Sequence, residues 1–353
     1  MVGLPRRALA LIAAVVSVPA GASSVVADLF RDGGVERSAT WQRFHDAIAS
    51  NQAACETVCV CNVEGAQLVS SIHGEATCLL EALVRNCTLL DTSADFLRSD
   101  QWPDCPSGRL HDCFLEPLAS CDAPALARAA RTRITATQYY GLLGERFPDA
   151  ALAARFGVRG RLRAFAEVVG YVMRPRPRVS AAVDRVAAAL GLADDPRDAV
   201  TAHSRQTDKR ETYHGGAGGD GPATALLARH QAWTLGLGAI HFMTDAPEHV
   251  AAIRGDLARE SRGPSVRLAV LDAGRSEDWV SEFLGECIVA AQGAALVAPL
   301  TSNVARVIAE LMALVAFPPL VDDLYHEAWV PGAEHLVAPG RPHVTAAAAW
   351  RLG

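Results

Sequence analysis

A polar segment in the second half of the chain carries the residues best suited to chemistry. It is VTAHSRQTDKRETYH, residues 200–214, an apolar start followed by cationic and acidic side chains. Open α/β sheets bind ligands where a strand ends in such a loop. Guanidinium and ammonium groups bind phosphate, and a neighbouring carboxylate can act as an acid or a base. The segment therefore predicts a site for an anionic, phosphate-bearing ligand.

Strand-like and helix-like stretches alternate around this segment through the C-terminal half. Strands are predicted at 199–202, 239–245, 266–272 and 295–299. Helices are predicted at 224–235, 247–259, 278–292 and 302–316. This alternation is typical of a parallel sheet covered by helices. Strand ends meet at one edge of such a sheet, so the polar residues at 203–209, 244–245 and 301–306 are expected to converge.

The N-terminal half is predicted to be more helical. Helical periodicity at 68–84 leads into a strand at 88–90, and further helices are predicted at 123–133 and within 152–192. Pro175 and Pro177 should separate two of these helices. The proline-containing stretch 102–121 is predicted to be rich in loops.

Eight of the nine cysteines lie between Cys55 and Cys121, and only Cys287 lies beyond them. An even cluster behind a secretory leader predicts disulfide bonds. A zinc site is the alternative, because Cys59 and Cys61 form a C-x-C pair, although no matching second pair follows. Asn86, Cys87 and Thr88 form an N-glycosylation sequon in an apolar segment where burial is the alternative.

The N-terminus has the features of a secretory signal. Arg6 and Arg7 precede an apolar run at 8–18 and the small residues 20–22. The run is shorter than the roughly 18 residues of a membrane span, which favours cleavage over anchoring. An N-terminal helix of the folded protein is the alternative. With a net charge of −6, the chain has no electrostatic reason to bind nucleic acid.

Three segments together resemble the α-1,6-fucosyltransferases of N-glycan cores and their bacterial nodulation relatives. The family motif His-x-Arg-Arg-Thr-Asp-Lys is similar to HSRQTDK, and Thr-Asp-Asp-Pro is similar to TDAP at 244–247. Phe-Ser-Ser-Gln-Val-x-Arg, with a helix ending in Glu-x-Met, is similar to LTSNVARVIAELM at 300–312. YVMRPRP and VDDLYH also resemble family segments, and CNVEGAQLVSSIHG is a weaker echo that ends near His73. The resemblance covers roughly residues 51–332.

This resemblance implies a GT-B-like α/β glycosyltransferase with a Rossmann-like C-terminal donor domain. The donor would be GDP-fucose, and the acceptor the 6-hydroxyl of a GlcNAc in an N-glycan core or chitin-type oligosaccharide. Transfer would be inverting and would need no metal or other cofactor. The residues implied to bind the donor are His203, Arg205, Asp208, Lys209, Asp245, Glu286, Ser302, Asn303 and Arg306.

Three residues are implied to act in the reaction: Arg205, Lys209 and Glu211. Arg205 would neutralise the departing β-phosphate, aided by the N–H groups of Ser302 and Asn303. Glu211 is the candidate general base, with a solvated loop carboxylate as the alternative; it lies two residues after the lysine, whereas the family base lies four after it. Ser302 could instead merely cap a helix.

Departures from the family pattern leave other functions open. Gln206 replaces the second arginine, Ala246 replaces an aspartate, and Glu286 replaces a shorter aspartate sixteen positions before Ser302. A protein O-fucosyltransferase is one alternative, and a relative that binds nucleotide or glycan without turnover is another. His230, His241 and His249 lack metal-ligand spacing, so no metal site is expected.

The sequence predicts five segments in a protein of the secretory pathway, in the Golgi lumen or at its membrane. They are a signal peptide or short anchor (1–22), a stem (23–50), a cysteine-rich acceptor-side region (51–192), a GDP-fucose-binding region (193–335) and a tail (336–353). The N-terminus could attach the chain to a membrane. The oligomeric state is not predicted.

Overall fold

A computed structural model describes residues 38–62, 68–91, 105, 107–135, 147–205, 221–259, 265–271, 278–300, 302–315 and 321–323. The predicted leader and C-terminal tail lie outside these residues, and the domain boundaries stay predictions. Within the described residues, no helix is both long and apolar enough to cross a membrane.

A three-stranded parallel sheet lies in the N-terminal half. Its strands are β1 (Thr57–Asn62), β2 (Thr88–Asp91) and β3 (Ala130–Thr135), in the order β2-β1-β3. The predicted helix at 123–133 is therefore wrong beyond Arg128. Residues 130–135, ARTRIT, alternate in character and include three β-branched side chains, which favours an extended strand paired with β1.

Helices account for most of the remaining N-terminal half. They are α1 (Ala39–Ala54), α2 (Leu68–Arg85), α3 (Leu110–Cys113), α4 (Ala123–Arg128), α5 (Asp149–Phe156), α6 (Arg161–Val172) and α7 (Pro177–Ala189). Phe44 and Ile48 of α1 are completely buried, so this helix belongs to the core. Pro177 occupies the first turn of α7, where a missing N–H costs nothing, which explains the predicted break before it.

The C-terminal half forms a parallel sheet, as predicted, with the four predicted strands and a fifth, Val321–Asp323, that the sequence did not indicate. Its strands are β4 (Ala199–Ser204), β5 (Ala239–Thr244), β6 (Arg267–Ala269), β7 (Ala295–Ala298) and β8 (Val321–Asp323), in the order β6-β5-β4-β7-β8. The helices are α8 (Gly221–Leu235), α9 (Val250–Arg259), α10 (Trp279–Ala290) and α11 (Asn303–Val315). This is the strand order of a Rossmann fold, in which the chain changes direction between β4 and β7.

Alternation along β4 separates an apolar face from a polar one. Val200 and Ala202 are buried in a cluster that also contains Ala228 of α8. Thr201 and His203 point to the opposite face, where the Thr201 hydroxyl donates to the carbonyl of Ala290 at 2.7 Å. Strand β4 is buried on both faces, which explains why it begins with a short run of mostly apolar residues in the sequence.

Four disulfide bonds confirm the prediction from the cysteine cluster. They join Cys55 to Cys121, Cys59 to Cys87, Cys61 to Cys78 and Cys105 to Cys113. The zinc alternative is wrong, because the sulfurs of Cys59 and Cys61 are bonded to other cysteines. No group of metal-ligating side chains occurs among the described residues. Cys287 is a free, buried thiol whose pKa is raised by burial and by Glu286.

Gly285 permits the close approach of α10 to α7. An added Cβ would lie 3.0 Å from the backbone nitrogen of Val183. We expect Gly285→Ala to lower the free energy of unfolding by roughly 1–3 kcal/mol, because backbone cannot move aside as a flexible side chain can. Gly255→Ala is the matched control, since its Cβ would meet only the end of Arg259 at 3.5 Å. It should stabilise α9 by about 0.5–1 kcal/mol, and urea titrations of both variants measure the difference. Equal effects would contradict the close contact.

Candidate functional site

His203 and Ser302 meet where the large sheet changes direction. His203 is near the end of β4, and Ser302 lies between the end of β7 and the start of α11. The Nε2 atom of His203 and the Oγ atom of Ser302 are hydrogen-bonded at 3.0 Å, and both side chains are buried. Two of the three predicted polar segments therefore converge, at the position where Rossmann-type sheets bind ligands.

Burial controls the protonation of His203. Desolvation lowers the pKa of His203 from 6.5 to about 4, Asp245 opposes this shift, and Arg205 adds to it. The imidazole is therefore neutral at pH 7. Its Nδ1 atom is buried and makes no hydrogen bond within the described part of the chain. His203 can thus orient Ser302 or a ligand, but it does not contribute a positive charge.

This lowered pKa predicts a stability that depends on pH. The unfolded chain takes up a proton on His203 below about pH 6.5, whereas the folded chain does so only near pH 4. The free energy of unfolding should therefore be highest above pH 6.5 and fall by about 3 kcal/mol as the pH falls to 4. His203→Gln should remove this part of the slope in urea titrations. The exposed His230→Gln should retain it, and a retained slope in His203→Gln would contradict the assignment.

Arg205 and Asp245 lie at the same edge. Ser204 of β4 pairs with Thr244 of β5, so the next residues of the two strands, Arg205 and Asp245, leave the sheet side by side. Both act electrostatically on His203, in opposite directions. Asp245 is exposed and Arg205 is partly exposed. The edge thus combines an accessible cation with an accessible carboxylate around a neutral histidine.

The N-terminus of α11 closes the other side of the site. The Ser302 N–H donates to the carbonyl of Pro299 at 2.9 Å, and its use for an anion stays a prediction. The Asn303 side-chain nitrogen donates to the hydroxyl of Ser70 in α2, and the Arg306 guanidinium donates to the Oδ1 atom of the same Asn303 side chain. Arg306 is 0% exposed, so the alternative that it is solvated is wrong.

Glu286 does not join this group. Its Oε1 atom lies 3.3 Å from Nε2 of His241, in the middle of β5. His241 pairs with Thr201, two residues before His203 in β4. Glu286 therefore lies deeper in the sheet than the edge that holds His203, Arg205 and Asp245.

Several predicted site residues lie outside the described residues. They are Gln206, Asp208, Lys209 and Glu211, together with most of the glycine-rich segment that follows. The roles of these residues stay predictions, and this includes the role of Glu211 as the candidate general base.

A buried polar pair that no local sequence pattern predicts lies behind the site. The Nε2 atom of His73 in α2 lies 2.9 Å from Oε2 of Glu310 in α11, and both side chains are inaccessible to solvent. Each helix buries other polar side chains as well, such as Glu75 in α2 and Arg306 in α11, so His73 and Glu310 do not stand out in the sequence. Because Glu310 and Asn303 are seven residues apart on α11, they lie on one face of the helix, and α2 contacts both. The pair therefore fixes the helix whose N-terminus borders the site.

Two parallel sheets covered by helices define an α/β protein and confirm that predicted class; the arrangement agrees with a GT-B-like architecture. No protein-family model matches the sequence, and neither does any curated protein.

Among solved structures, the chain is similar to fucosyltransferases crystallised with GDP. NodZ alpha-1,6-fucosyltransferase is 14% identical, with a TM-score of 0.42, over 76% of this chain and 95% of that one. A mutant of Arabidopsis thaliana FUT1 is 14% identical, with a TM-score of 0.43, over 84% and 76% of the two chains. POFUT1 is 9% identical, with a TM-score of 0.42, over 78% and 99%. These are distant likenesses.

Proposed function

We propose that this protein is an inverting, metal-independent fucosyltransferase that uses GDP-fucose. The observation that carries the proposal is the convergence of the three motif segments at one sheet edge. His203 and Ser302 are hydrogen-bonded there, and Arg205 and Asp245 flank them. These segments lie 40 to 100 residues apart in the sequence, and each resembles a donor-binding motif of one enzyme family.

Arg205 supplies the charge that the reaction needs. As the acceptor oxygen bonds to the anomeric carbon of fucose, the bond from that carbon to the β-phosphate oxygen breaks and GDP leaves. The guanidinium of Arg205 stabilises the negative charge that develops on the phosphate. Asn303 adds a polar group at the start of α11, where the helix dipole favours an anion. His203 stays neutral and orients Ser302.

The remaining groups of the proposed mechanism are in the segment after Arg205. Asp208 and Lys209 hold the diphosphate, and Lys209 adds a second cation near the leaving group. Glu211 accepts the proton of the attacking 6-hydroxyl. Asp245 binds the guanine and ribose end of the donor. Glu286 lies deeper in the sheet and supports the guanine and ribose end of the donor through its contact with His241.

The proposed acceptor is a GlcNAc in an N-glycan core or in a chitin-type oligosaccharide, and the proposed location is the lumen or membrane of the Golgi. Four disulfide bonds support an oxidising compartment, because thiols stay reduced in the cytosol. Attachment to the membrane through the N-terminus belongs to the same proposal.

A panel of acceptors tests the activity and its specificity. Wild-type protein is incubated with GDP-fucose and either a GlcNAc-terminated N-glycan, a chitin oligosaccharide or a folded polypeptide domain, and products are detected by mass spectrometry. We expect a mass increase of one fucose on a glycan and none on the polypeptide. Transfer to a serine or threonine of the polypeptide alone would indicate a protein O-fucosyltransferase instead.

One observation favours a second candidate, a relative that binds the donor without turnover. Ala246 stands where the family has an aspartate, and it is 2% exposed, so an apolar side chain fills that place. Gln206 also removes a charge from the phosphate loop. In this case GDP binds to the wild type, but no acceptor gains fucose. The double variant Gln206→Arg with Ala246→Asp would then be expected to gain donor affinity.

A further inference from the structure

Asn86 occupies an exposed turn directly after α2. Its backbone is left-handed, with φ of 58°. The Asn86 N–H donates to the carbonyl of Leu83 at 3.2 Å, and the Cys87 N–H donates to that of Ala82 at 3.0 Å. These two bonds form a Schellman motif, in which asparagine is well tolerated at the left-handed position. The geometry directs Asn86 out of the core, whereas Cys87 and Thr88 of the same sequon are buried, so the alternative of burial is correct for these two residues and wrong for Asn86.

The same residue begins a glycosylation sequon. Asn86 is the only asparagine of the sequence that is followed two positions later by serine or threonine. In secreted proteins such a sequon accepts an N-linked glycan. Its Oδ1 atom accepts a hydrogen bond from Arg155, which also donates to the Leu83 carbonyl at 2.6 Å. The amide oxygen is therefore held against the protein, while the side chain as a whole remains exposed.

We propose that Asn86 is an N-glycosylation site and that it is modified before the N-terminal sheet forms. In this step the Asn86 side-chain nitrogen bonds to the anomeric carbon of an oligosaccharide carried on a lipid diphosphate. The bond from that carbon to phosphate breaks, and the lipid diphosphate leaves as the amide loses a proton. The host's oligosaccharyltransferase provides the catalysis. The inference rests on the proposed secretory location and not on fucosyl transfer.

The burial of Thr88 indicates whether glycosylation or folding comes first. Its side chain is 1% exposed, and its hydroxyl donates to the carbonyl of Asn51 at 2.8 Å and accepts from the N–H of Cys55 at 3.0 Å. Cys87, the middle residue of the sequon, is bonded to Cys59. An enzyme that recognises the threonine hydroxyl cannot reach it in the folded chain. Modification therefore precedes the pairing of β2 with β1 and the closure of this disulfide.

The folded structure can carry the glycan without obstructing the candidate site. Ser70, which contacts Asn303, lies near the start of α2, and Asn86 follows the other end. The rise of 1.5 Å per residue separates them by about 24 Å. Loss of the glycan should therefore leave the donor site unchanged, and the two proposals can fail independently.

Expression in a secreting eukaryotic cell tests the site. We expect one discrete mobility step that N-glycosidase removes from the wild type and that Asn86→Gly lacks. Glycine suits the left-handed position, so this variant keeps the turn while it removes the acceptor nitrogen. The control is a second sequon in the loop before β4, made by Asp194→Asn with Pro196→Thr, which should add one more step. Glycan at the control sequon but not at Asn86 would overturn the site; glycan at neither would overturn it together with the secretory location.

A second measurement tests whether glycosylation precedes folding. Unglycosylated protein is offered to oligosaccharyltransferase with a lipid-linked oligosaccharide, either folded and oxidised or reduced and unfolded. We expect modification of the unfolded chain only. Equal modification of both forms would overturn the proposed order, because the Thr88 hydroxyl would then be recognised in the folded state.

Discussion

Replacing Arg205 with alanine is expected to abolish donor chemistry. Removal of one group that stabilises developing charge typically costs about 10²–10³ in kcat. We expect a loss of at least this size in Arg205→Ala, together with loss of the thermal stabilisation by GDP. The reason is that Arg205 is the described cation closest in sequence to the buried His203, at the edge where the motif segments meet.

Two further variants make this result specific. Arg254→Ala removes an exposed arginine from α9 and should change neither turnover nor the GDP response. Arg205→Lys keeps the charge but loses the planar fork that binds phosphate through two N–H groups, so it should retain intermediate activity. An unaltered GDP response in Arg205→Ala would show that the diphosphate binds elsewhere.

The largest effect on stability is expected at the buried pair of His73 and Glu310. Removing one partner of such a pair typically costs about 3–5 kcal/mol, because the other partner stays buried without it. Glu310→Ala should lower the free energy of unfolding by this amount in urea titrations. It should also weaken GDP binding, because α11 would no longer be fixed against α2 near Asn303.

Controls separate the pair from a general effect of losing a carboxylate. Glu81→Ala breaks an exposed ion pair with Arg85 on α2 and should change the free energy of unfolding by less than about 1 kcal/mol. The double variant His73→Ala with Glu310→Ala should cost less than the sum of the single variants, since their energies are coupled. Additive effects would contradict a direct interaction between the two side chains.

Much of the C-terminal half could be predicted from the sequence. Strands such as β4 and β7 are buried on both faces, so they stand out as short apolar runs between amphipathic helices. Because these strands are parallel, their carboxyl ends lie at the same edge of the sheet, and this brings His203 and Ser302 together. The predicted position of the site depended on these local signals.

The N-terminal sheet was harder to predict for physical reasons. Strand β3 (ARTRIT) contains two arginines and two threonines, and part of the buried surface of β1 (TVCVCN) consists of disulfide-bonded cysteines, so neither strand shows an apolar run. The contact of His73 with Glu310 joins residues 237 positions apart, so no local pattern indicates it. The resemblance predicts that Glu286 belongs to the donor site, whereas in the structure it lies beside His241, whose partner in β4 is Thr201.

A crystal structure of the wild-type protein with GDP would test the central claim most directly. We expect the β-phosphate to bind at the carboxyl edge of β4 and β7, within about 3 Å of the Arg205 guanidinium and beside the first turn of α11. Density for GDP at any other place in the protein, with Arg205 and Asn303 making no contact to phosphate, would contradict it.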